Sequence, residues 1–327
     1  MTSPFSLLGR ARLNEQVRDA MAPLGFLALL SVGLWWYQPR FLSLVNLQDL
    51  ARETSVVAIL AVGQTVVIIA AQIDLSVGSN LAFAGCMAGV AMRDHHFGVI
   101  AAIAVACASG SAIGVVNGLV TAYGRIPSFI VTLGAMLACR GLALIVSNSI
   151  NISPLAPGFE VFGSGGLFQT RMGAGLPWAF VIMIVCAIII HVVLSATRWG
   201  RSVYAVGGNR EAARLSGINM RWMTVSIMTL MGFVTGIAAV IDVSRAGVAQ
   251  PTAGAQMELW SIAATVMGGT SLFGGTGGIP GAIIGAFLMS VIQNGCDLAG
   301  LEQGHQYLIV GSVIVIAVLY DRIRRRT

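Results

Sequence analysis

The sequence predicts an all-α membrane protein with about ten transmembrane helices, and three observations support this fold class. Of the 327 residues, 56% are hydrophobic and only 10% are charged, whereas a soluble globular chain carries roughly 25% charged residues. Too few charges remain to cover a water-facing surface of this size. The 40 glycines favour a helical bundle, because small residues let membrane helices approach closely. A β-barrel would instead alternate polar and apolar side chains.

Ten apolar runs divide the chain into predicted spans. The first run ends in Trp35-Trp36-Tyr37, and aromatic residues suit the membrane–water interface. Several later runs are shorter than the ~20 residues that a straight crossing needs, so we expect broken or re-entrant helices near 77–92 and 258–292. The ten predicted spans are 22–37, 54–72, 77–92, 98–120, 129–147, 177–196, 222–243, 258–273, 279–292 and 305–320.

The distribution of arginines predicts that both termini lie in the cytoplasm. All 19 basic residues are arginine. With the N-terminus inside, thirteen arginines fall on cytoplasmic segments and five on outside loops, while Arg140 lies within a span. This bias follows the positive-inside rule, and an even number of spans returns the C-terminus to the inside. Because the arginines gather at span ends, the net charge of +6 does not indicate nucleic-acid binding.

The composition argues against several kinds of chemistry. Without a lysine the chain cannot supply a Walker A loop or form a Schiff base. Its five cysteines form no C-x-x-C pair and are expected to be small packing residues. His95 and His96 are adjacent in a short loop, and His191 and His305 have no neighbours at ligand spacing, so no metal site is predicted. No paired carboxylates or Ser-His arrangement suggests an enzyme.

The chain is predicted to form one membrane domain over residues 22–320, between cytoplasmic tails at 1–21 and 321–327. Two of its connections are long. The stretch 148–176 is rich in Gly, Pro, Ser and Asn, so it is not a membrane helix. On the outside it either docks an external partner or connects two spans through one short helix. The segment 198–221 is the long polar connection on the inside.

The segment 198–221 predicts a short helix on the cytoplasmic face. Gly207-Gly208-Asn209 interrupts the chain, the run from Arg210 to Leu215 contains good helix formers, and Gly217 fits a helix stop. Such a helix is a natural lever through which a soluble motor could move the flanking spans. The alternative is a connector whose arginines only fix the topology.

A weak internal repeat relates the two halves of the chain. The stretch 115–124 (VVNGLVTAYG) resembles 291–300 (VIQNGCDLAG), so that Asn117-Gly118 matches Asn294-Gly295. Under the predicted topology, the first pair ends a span inside and the second ends a span outside. An inverted repeat produces this relationship, and transporters often use that architecture.

Four sequence blocks resemble one family of membrane proteins. The stretch 205–219 (AVGGNREAARLSGIN) contains the E-A-A-x-x-x-G signature of ABC importer permeases, and its longer form is similar to the ribose/xylose/arabinose-type permeases. Three further blocks match the same family: IDLSVGS (73–79), GRIPSFIVTLG (124–134) and GGTSLFGG (268–275). The blocks occur in the family's order, and the resemblance covers nearly the whole chain.

The resemblance implies the transmembrane permease subunit of a bacterial sugar importer in the inner membrane. Two permease chains, identical or paralogous, would form the pathway. An ABC ATPase would bind on the cytoplasmic face, and a periplasmic sugar-binding protein would deliver the sugar. The permease would hold no cofactor, because ATP binds to the partner. Glu211, Ala212, Ala213 and Gly217 would lie in the loop that contacts the ATPase. Which sugar moves is not determined.

Asp74 and Ser76, in the block 73–79, are candidates for residues that line the sugar path. Asp74 is the one acid within a core motif. Leaving it ionised in lipid would cost ~3 kcal/mol, so it should face the bundle interior, a cavity or a partner. It either accepts hydrogen bonds from sugar hydroxyls or, together with Ser76, caps the helix that starts at Val77. The capping interpretation is favoured.

Asn117 and Asn294 likewise have two possible roles, one in sugar binding and one in the structure of the helices. Each could bind a sugar hydroxyl or form a helix C-cap with the following glycine, and the cap is favoured. Arg140 could pair with an acid or with helix-end carbonyls. One departure from the family stands out: Ala71 and Gln72 replace two glycines, so local packing or the pathway lining should differ.

An ion-coupled secondary sugar carrier remains the alternative from the residues. Such a protein needs titratable groups or cation sites in the middle of the membrane. Asp74 and Arg140 are the candidates, whereas Asp242 and Asp297 lie at predicted span ends.

Overall fold

The computed structural model describes residues 4–167 and 175–324, with side chains from residue 21 onward to 313, the gap excepted, and at 315. Within these ranges the fold is built from α-helices, a 3-10 turn at Pro39–Leu42 and one antiparallel pair of two-residue strands, β1 (Gly166–Leu167) and β2 (Leu176–Pro177). The helices are α1 (Pro4–Tyr37), α2 (Leu44–Ile69), α3 (Val77–Arg93), α4 (Val99–Gly124), α5 (Ser128–Val146), α6 (Val161–Ser164), α7 (Trp178–Ala196), α8 (Arg198–Gly208), α9 (Arg210–Leu215), α10 (Met220–Ala246), α11 (Met257–Met267), α12 (Ile279–Leu298) and α13 (Gln303–Arg324).

The all-α membrane class predicted from the sequence is confirmed, since each predicted span overlaps a helix. Among the described residues, six helices are long and apolar enough to cross a membrane: α2, α4, α5, α7, α10 and α12. Met21–Tyr37 and Met257–Met267 are apolar but shorter. Whether the chain crosses the membrane ten times stays a prediction.

Several predicted span boundaries are wrong: α1 begins at Pro4 and α12 continues to Leu298. Two further differences have identifiable reasons. α2 begins at Leu44, ten residues before the predicted start, because the Ser43 hydroxyl caps it by accepting a hydrogen bond from the Asn46 amide at 3.3 Å. The predicted span 258–273 ends early, at Met267. The glycine-rich stretch beyond it adopts positive φ angles at Gly269, Gly274, Gly275 and Gly277, so it forms a loop instead of a helix.

The helix α2 forms the centre of the bundle, buried almost continuously from Thr54 to Ile69. It packs against α7, α10, α11 and α12. The helices α4, α5 and α7 instead expose most of their apolar surface. Such faces are suited to contact with lipid or with another apolar helix.

The helices α4 and α10 meet backbone to backbone along a row of glycines. A Cβ atom at Gly110 would collide with the Gly232 carbonyl oxygen, and one at Gly114 would collide with that of Met228. At Gly118 it would lie 2.7 Å from the Cα of Val225. Because these glycines are spaced four residues apart, they line one face of α4. This use of small residues is the one that the glycine content predicted.

The segment 247–256 runs back into the bundle before α11 begins. Gly89 of α3 lies against Ala249, while Gly78, near the start of α3, lies against the backbone of Gly254. Gly78 and Gly89 are about 16 Å apart along α3. The segment 247–256 therefore runs alongside α3 over a similar distance, towards the start of that helix. α11 has 11 residues and extends only about 16 Å, roughly half of a hydrocarbon core. Residues 247–256 are called the re-entrant segment for this reason, and their depth in a membrane stays a prediction. In the range 258–292, where the sequence predicts broken or re-entrant helices, α11 is short but α12 is long enough for a full crossing.

The stretch 148–176 packs on the end of α10, as far as it is described. It contains the short helix α6 and a bridge between Ile152 and Ala249. The Ser244 hydroxyl donates a hydrogen bond to the Phe159 carbonyl at 2.6 Å and accepts one from the Gly163 amide at 2.7 Å. Residues 168–174 of this predicted external connection lie outside the described residues, so a docking role stays a prediction.

Candidate coupling loop and polar pathway residues

The segment 198–221, here called the coupling loop, folds into two short helices. α8 is capped by Thr197, whose hydroxyl accepts from the Gly200 amide at 3.1 Å. Asn209 adopts an extended conformation that interrupts the helix, and its side-chain oxygen accepts from the Ala212 amide at 2.9 Å. Asn209 therefore both breaks the chain direction and caps α9.

Gly217 ends α9 in the way that the sequence predicted. Its φ angle is +84°. The Gly217 amide donates to the Arg214 carbonyl at 3.0 Å, and the Ile218 amide donates to the Ala213 carbonyl at 3.2 Å. These two bonds form a Schellman motif, which requires a left-handed residue where a glycine stands. The family signature thus has a local structural reason at its last position.

The helix α9 presents one charged and one apolar feature to the surroundings. Glu211 and Arg214 form an exposed ion pair, and hydrogen bonding to Arg214 holds the pKa of Glu211 below its usual value of 4.5. The Ala213 side chain is buried on the face of α9 that packs on the protein, whereas the Leu215 side chain is 76% exposed. A small residue at 213 therefore lets α9 lie flat, with its outer face available to a partner.

A cavity of about 580 Å³ opens beside α9, between the end of α4 and the start of α10. The Arg221 guanidinium lies over the Tyr123 ring, 5.0 Å from its centroid. This is within the range of a cation–π interaction. The lining residues are Leu119, Tyr123, Arg214, Ile218, Asn219, Met220, Arg221, Trp222 and Val225.

The structure brings three of the four predicted path residues together. The Asn117 amide donates to the Ser76 hydroxyl at 3.0 Å, and that hydroxyl donates to the Asp74 carboxylate at 2.6 Å. The same carboxylate oxygen accepts from the Ser76 backbone amide at 2.8 Å. All three side chains are at most 3% exposed. The Ser76 side chain makes no capping hydrogen bond to α3, so the predicted cap is not formed in that way. The Asp74 carboxylate instead bonds the backbone just before α3 begins, which favours a structural role over a sugar contact.

Asn294 lies apart from this group and forms a reciprocal pair with Asn46. Each side-chain amide donates to the other side-chain oxygen at 2.9 Å. Asn46 also donates to the Phe41 carbonyl at 2.9 Å. The pair therefore ties the start of α2 to α12.

The C-cap interpretation of Asn117 and Asn294 is wrong. α4 continues to Gly124 and α12 to Leu298, so both asparagines lie inside their helices. The glycines that follow them serve close packing: Gly118 lies against α10, and a Cβ at Gly295 would lie 2.7 Å from a methyl group of Leu34. An Asn-Gly pair signals a helix end only where the glycine takes a left-handed conformation.

The irregular segment 70–76 is held by hydroxyls from α5. The Ile73 amide donates to the Ser128 hydroxyl at 3.1 Å, and the Leu75 amide donates to the Thr132 hydroxyl at 3.0 Å. Irregular backbone inside a membrane bundle must find such partners. Two of the four family blocks, 73–79 and 124–134, are therefore in direct contact. Sequence reasoning missed both hydroxyls, although their position in a matching block was a usable signal.

Arg140 binds backbone carbonyls rather than an acid. One of its terminal nitrogens donates to the Pro251 carbonyl at 2.6 Å and to the Ala253 carbonyl at 2.8 Å. These carbonyls belong to the re-entrant segment before α11. Of the two partners considered from the sequence, carbonyls are the ones found, although they lie in a loop and not at a helix end. The helix α5 thus contacts this segment as well as 70–76.

Ala71 and Gln72, which stand where the resemblance leads us to expect two glycines, form the end of α2. Ala71 has a φ of +56°, and its amide and that of Gln72 complete a Schellman motif with the Ile68 and Val67 carbonyls. Gln72 is buried and donates to the Thr224 hydroxyl of α10 at 3.2 Å. Its side-chain oxygen has no hydrogen-bond partner.

Neither metal ligation nor disulfide bonding enters the described site. No group of three or more His, Cys, Asp or Glu side chains within the described residues is arranged to hold a metal ion. The cysteines Cys86, Cys107, Cys139, Cys186 and Cys296 are free.

Comparison with known proteins gives matches over nearly the whole chain. A family described as "Branched-chain amino acid transport system / permease component" matches residues 46–318. The chain is 40% identical over 316 residues to the ribose import permease protein RbsC of Escherichia coli (strain K12), covering 95% of each protein. It is 38% identical over 310 residues to RbsC of Bacillus subtilis (strain 168), covering 94% of each.

A second group of similar proteins is named for xylose. The xylose transport system permease protein XylH of Escherichia coli (strain K12) is 32% identical over 373 residues, covering 97% of this chain and 94% of XylH. The resemblance to ribose- and xylose-type permeases is therefore confirmed. The chain belongs to the family of branched-chain amino acid transport system permease components.

Proposed function

We propose that this chain is the permease subunit of an ABC importer that carries a monosaccharide of the ribose or xylose class into a bacterial cell. The observation that carries the proposal is the coupling loop. In a chain related over nearly its whole length to ribose and xylose permeases, the signature residues Glu211, Ala212 and Ala213 lie on a capped short helix that Gly217 ends, and the outer face of this helix is exposed. The permease performs no chemistry itself, because the ATPase partner binds and hydrolyses ATP.

The coupling loop is connected to the bundle at both ends and in its middle. α8 follows α7, α9 leads into α10, and Gly207 of α8 lies against the Ile69 carbonyl at the end of α2. A partner that displaces α9 would thus act on three membrane helices at once. We infer a two-state movement between outward-open and inward-open forms, driven by ATP binding and hydrolysis in the partner.

The proposal includes ten crossings, cytoplasmic termini and an inverted repeat. The packing supports the repeat: α2 packs on α11 and α12, while α10 packs on α3 and α4. Elements in equivalent positions of the two halves are therefore exchanged across the bundle, as a pseudo-two-fold axis requires. The arginine-rich coupling loop then faces the cytoplasm.

Two further partners complete the proposed assembly. The broad apolar faces of α4 and α5 suit a second permease chain and lipid. The opposite end of the bundle, which includes the described part of 148–176, would receive a periplasmic sugar-binding protein. The ion-coupled alternative has less support, because the Asp74 carboxylate is occupied by Ser76 and Arg140 by two carbonyls.

The test is a charge reversal at Glu211 in a permease co-expressed with its ATPase and binding protein. We expect E211R to abolish sugar-stimulated ATPase activity and co-purification of the ATPase. E302R, which changes an exposed acid in the loop between α12 and α13, is the matched control and should behave like wild type. Unchanged coupling in E211R would refute the assignment of the loop.

A double variant separates contact from helix stability. E211R/R214E restores an ion pair of reversed polarity on α9, so it should stay uncoupled if Glu211 contacts the ATPase directly. Sugar uptake into proteoliposomes that lack the ATPase, driven only by an ion gradient, would favour the carrier alternative.

A further inference from the structure

The loop 268–278 between α11 and α12 carries an exposed aromatic residue in an ordered backbone. Its turn is closed by bonds from the Gly274 amide to the Ser271 carbonyl at 3.0 Å and from the Ser271 amide to the Thr276 carbonyl at 3.2 Å. The Phe273 amide also donates to the Ser271 hydroxyl at 3.3 Å. The loop therefore holds Phe273 at one defined position.

The Phe273 side chain is 89% exposed, more than any other large apolar side chain in the described part of the chain. Its neighbour Leu272 is 40% exposed. A single exposed apolar residue is common on protein surfaces, so exposure alone identifies no partner. The position of the loop relative to α8 and α9 gives the further information.

The loop 268–278 contacts the coupling loop at two places and the end of α2 at a third. The Tyr204 hydroxyl of α8 donates to the Gly277 carbonyl at 2.9 Å. The Gly275 amide donates to the Ile69 carbonyl at 2.8 Å, beside Gly207. A Cβ at Gly275 would lie 2.8 Å from the Cα of Gly208. The two loops therefore form one continuous surface at the same end of the bundle.

The charges of this surface limit what can cover it. Arg198, Arg201 and Arg210 of the coupling loop are exposed, and the loop's one acid, Glu211, is paired with Arg214. A complementary partner presents an apolar recess for an aromatic ring, bordered by acidic side chains.

We propose that Phe273 is a second anchor for the ATPase subunit, inserted into an apolar recess next to the site that receives α9. This inference rests on the proposed function and extends it. A single helix of 6 residues fixes a point of contact but not an orientation. A second anchor on the loop between α11 and α12 fixes the direction in which the motor moves the bundle and extends its action to those two helices.

Site-specific photo-crosslinking tests the proposal in the assembled transporter in lipid nanodiscs. The photoreactive phenylalanine analogue p-benzoylphenylalanine replaces Phe273, Glu211 or Phe97 in separate variants. Phe97 is the matched control, since it is an exposed phenylalanine in the loop between α3 and α4. We expect adducts with the ATPase from positions 273 and 211 and none from 97.

Comparing the adducts from positions 211 and 273 tells whether the anchor proposal alone is wrong or the proposed function is wrong as well. ATPase adducts from 211 but not from 273 would overturn the anchor and leave the function intact. Adducts of position 273 with lipid or with a second permease chain alone would likewise overturn it. Absence of ATPase adducts from both positions would overturn the proposed function and the anchor together.

The contribution of Phe273 to binding can be measured as the affinity of the permease for its ATPase. F273S should weaken the affinity of the purified permease for its ATPase about tenfold, the size expected for an aromatic anchor, while F273L should retain most of it. F97S should match wild type. An F273S protein with unchanged thermal unfolding and unchanged affinity would overturn the proposal.

Discussion

The Thr132 hydroxyl of α5 satisfies two backbone groups of the segment that precedes α3. It accepts from the Leu75 amide at 3.0 Å and lies 3.3 Å from the Ile73 carbonyl oxygen. Because this segment is neither helix nor strand, its amide and carbonyl groups depend on side-chain partners. The contact explains why a threonine stands near the start of this mostly apolar helix.

We predict that T132V destabilises the protein by about 1–3 kcal/mol, the usual cost of leaving buried backbone groups without partners. T132S keeps the hydroxyl and should stay close to wild type. T229V is the matched control, because the Thr229 hydroxyl bonds only the Val225 carbonyl of its own helix. Thermal unfolding in detergent measures the three variants. Equal midpoints for T132V and T229V would contradict the prediction.

Arg140 should hold the re-entrant segment 247–256 in place. R140M leaves the Pro251 and Ala253 carbonyls without their donor, so we expect the segment to open more often and stability to fall by about 1–3 kcal/mol. R140K should retain part of the effect, because lysine can donate but is a shorter, compact group.

The opening can be measured by maleimide labelling of A249C, since Ala249 is buried in that segment and becomes accessible only when the segment opens. Labelling should accelerate in R140M and change less in R140K. R40M, which alters an exposed arginine within the 3-10 turn, is the control and should leave the rate unchanged. An unaltered rate in R140M would show that Arg140 does not hold the segment.

The glycine contact between α4 and α10 predicts a difference between two glycine-to-alanine changes. A Cβ at Gly232 would collide with the Gly110 carbonyl oxygen, whereas nothing lies within 4 Å of one at Gly141. We expect G232A to cost about 1–3 kcal/mol through overpacking. G141A should be neutral or stabilising by up to about 1 kcal/mol, because alanine favours a helix over glycine. Unfolding midpoints of the two variants decide the matter.

The left-handed conformation of Ala71 predicts a stabilising substitution. A71G should raise stability by about 1 kcal/mol, since the left-handed region is unfavourable for residues with a Cβ atom. A70G is the control: Ala70 has a φ of −80°, so glycine there should destabilise by about 0.5–1 kcal/mol. A lower unfolding midpoint for A71G than for wild type would refute this account.

The sequence predicted the regular helices well and the irregular segments poorly. The predicted spans 77–92, 129–147 and 177–196 agree with α3, α5 and α7 to within one residue at each end. Their apolar runs are bounded by polar or proline residues that stop a helix. The end of α11 was missed because a hydropathy pattern does not distinguish a glycine loop such as GGTSLFGG from a span.

The pairings between distant residues could not be predicted for a different reason. Leu75 and Thr132 are 57 residues apart, and Asn46 and Asn294 are 248 apart. Both hydrogen bonds depend on how helices are placed in three dimensions, and a single sequence contains no record of that placement. The matching blocks indicated which segments matter but not that two of them touch.

The row of glycines on α4 also limits how the bundle can change shape. Side chains can rotate out of the way of a sliding neighbour, but a carbonyl oxygen seated over a Cα atom cannot. Shear between α4 and α10 would require both backbones to separate first, which would break the contact over its full length. We therefore expect α4 and α10 to move as one rigid body during a transport cycle. Bending would then be confined to the loops that connect this pair to the remaining helices.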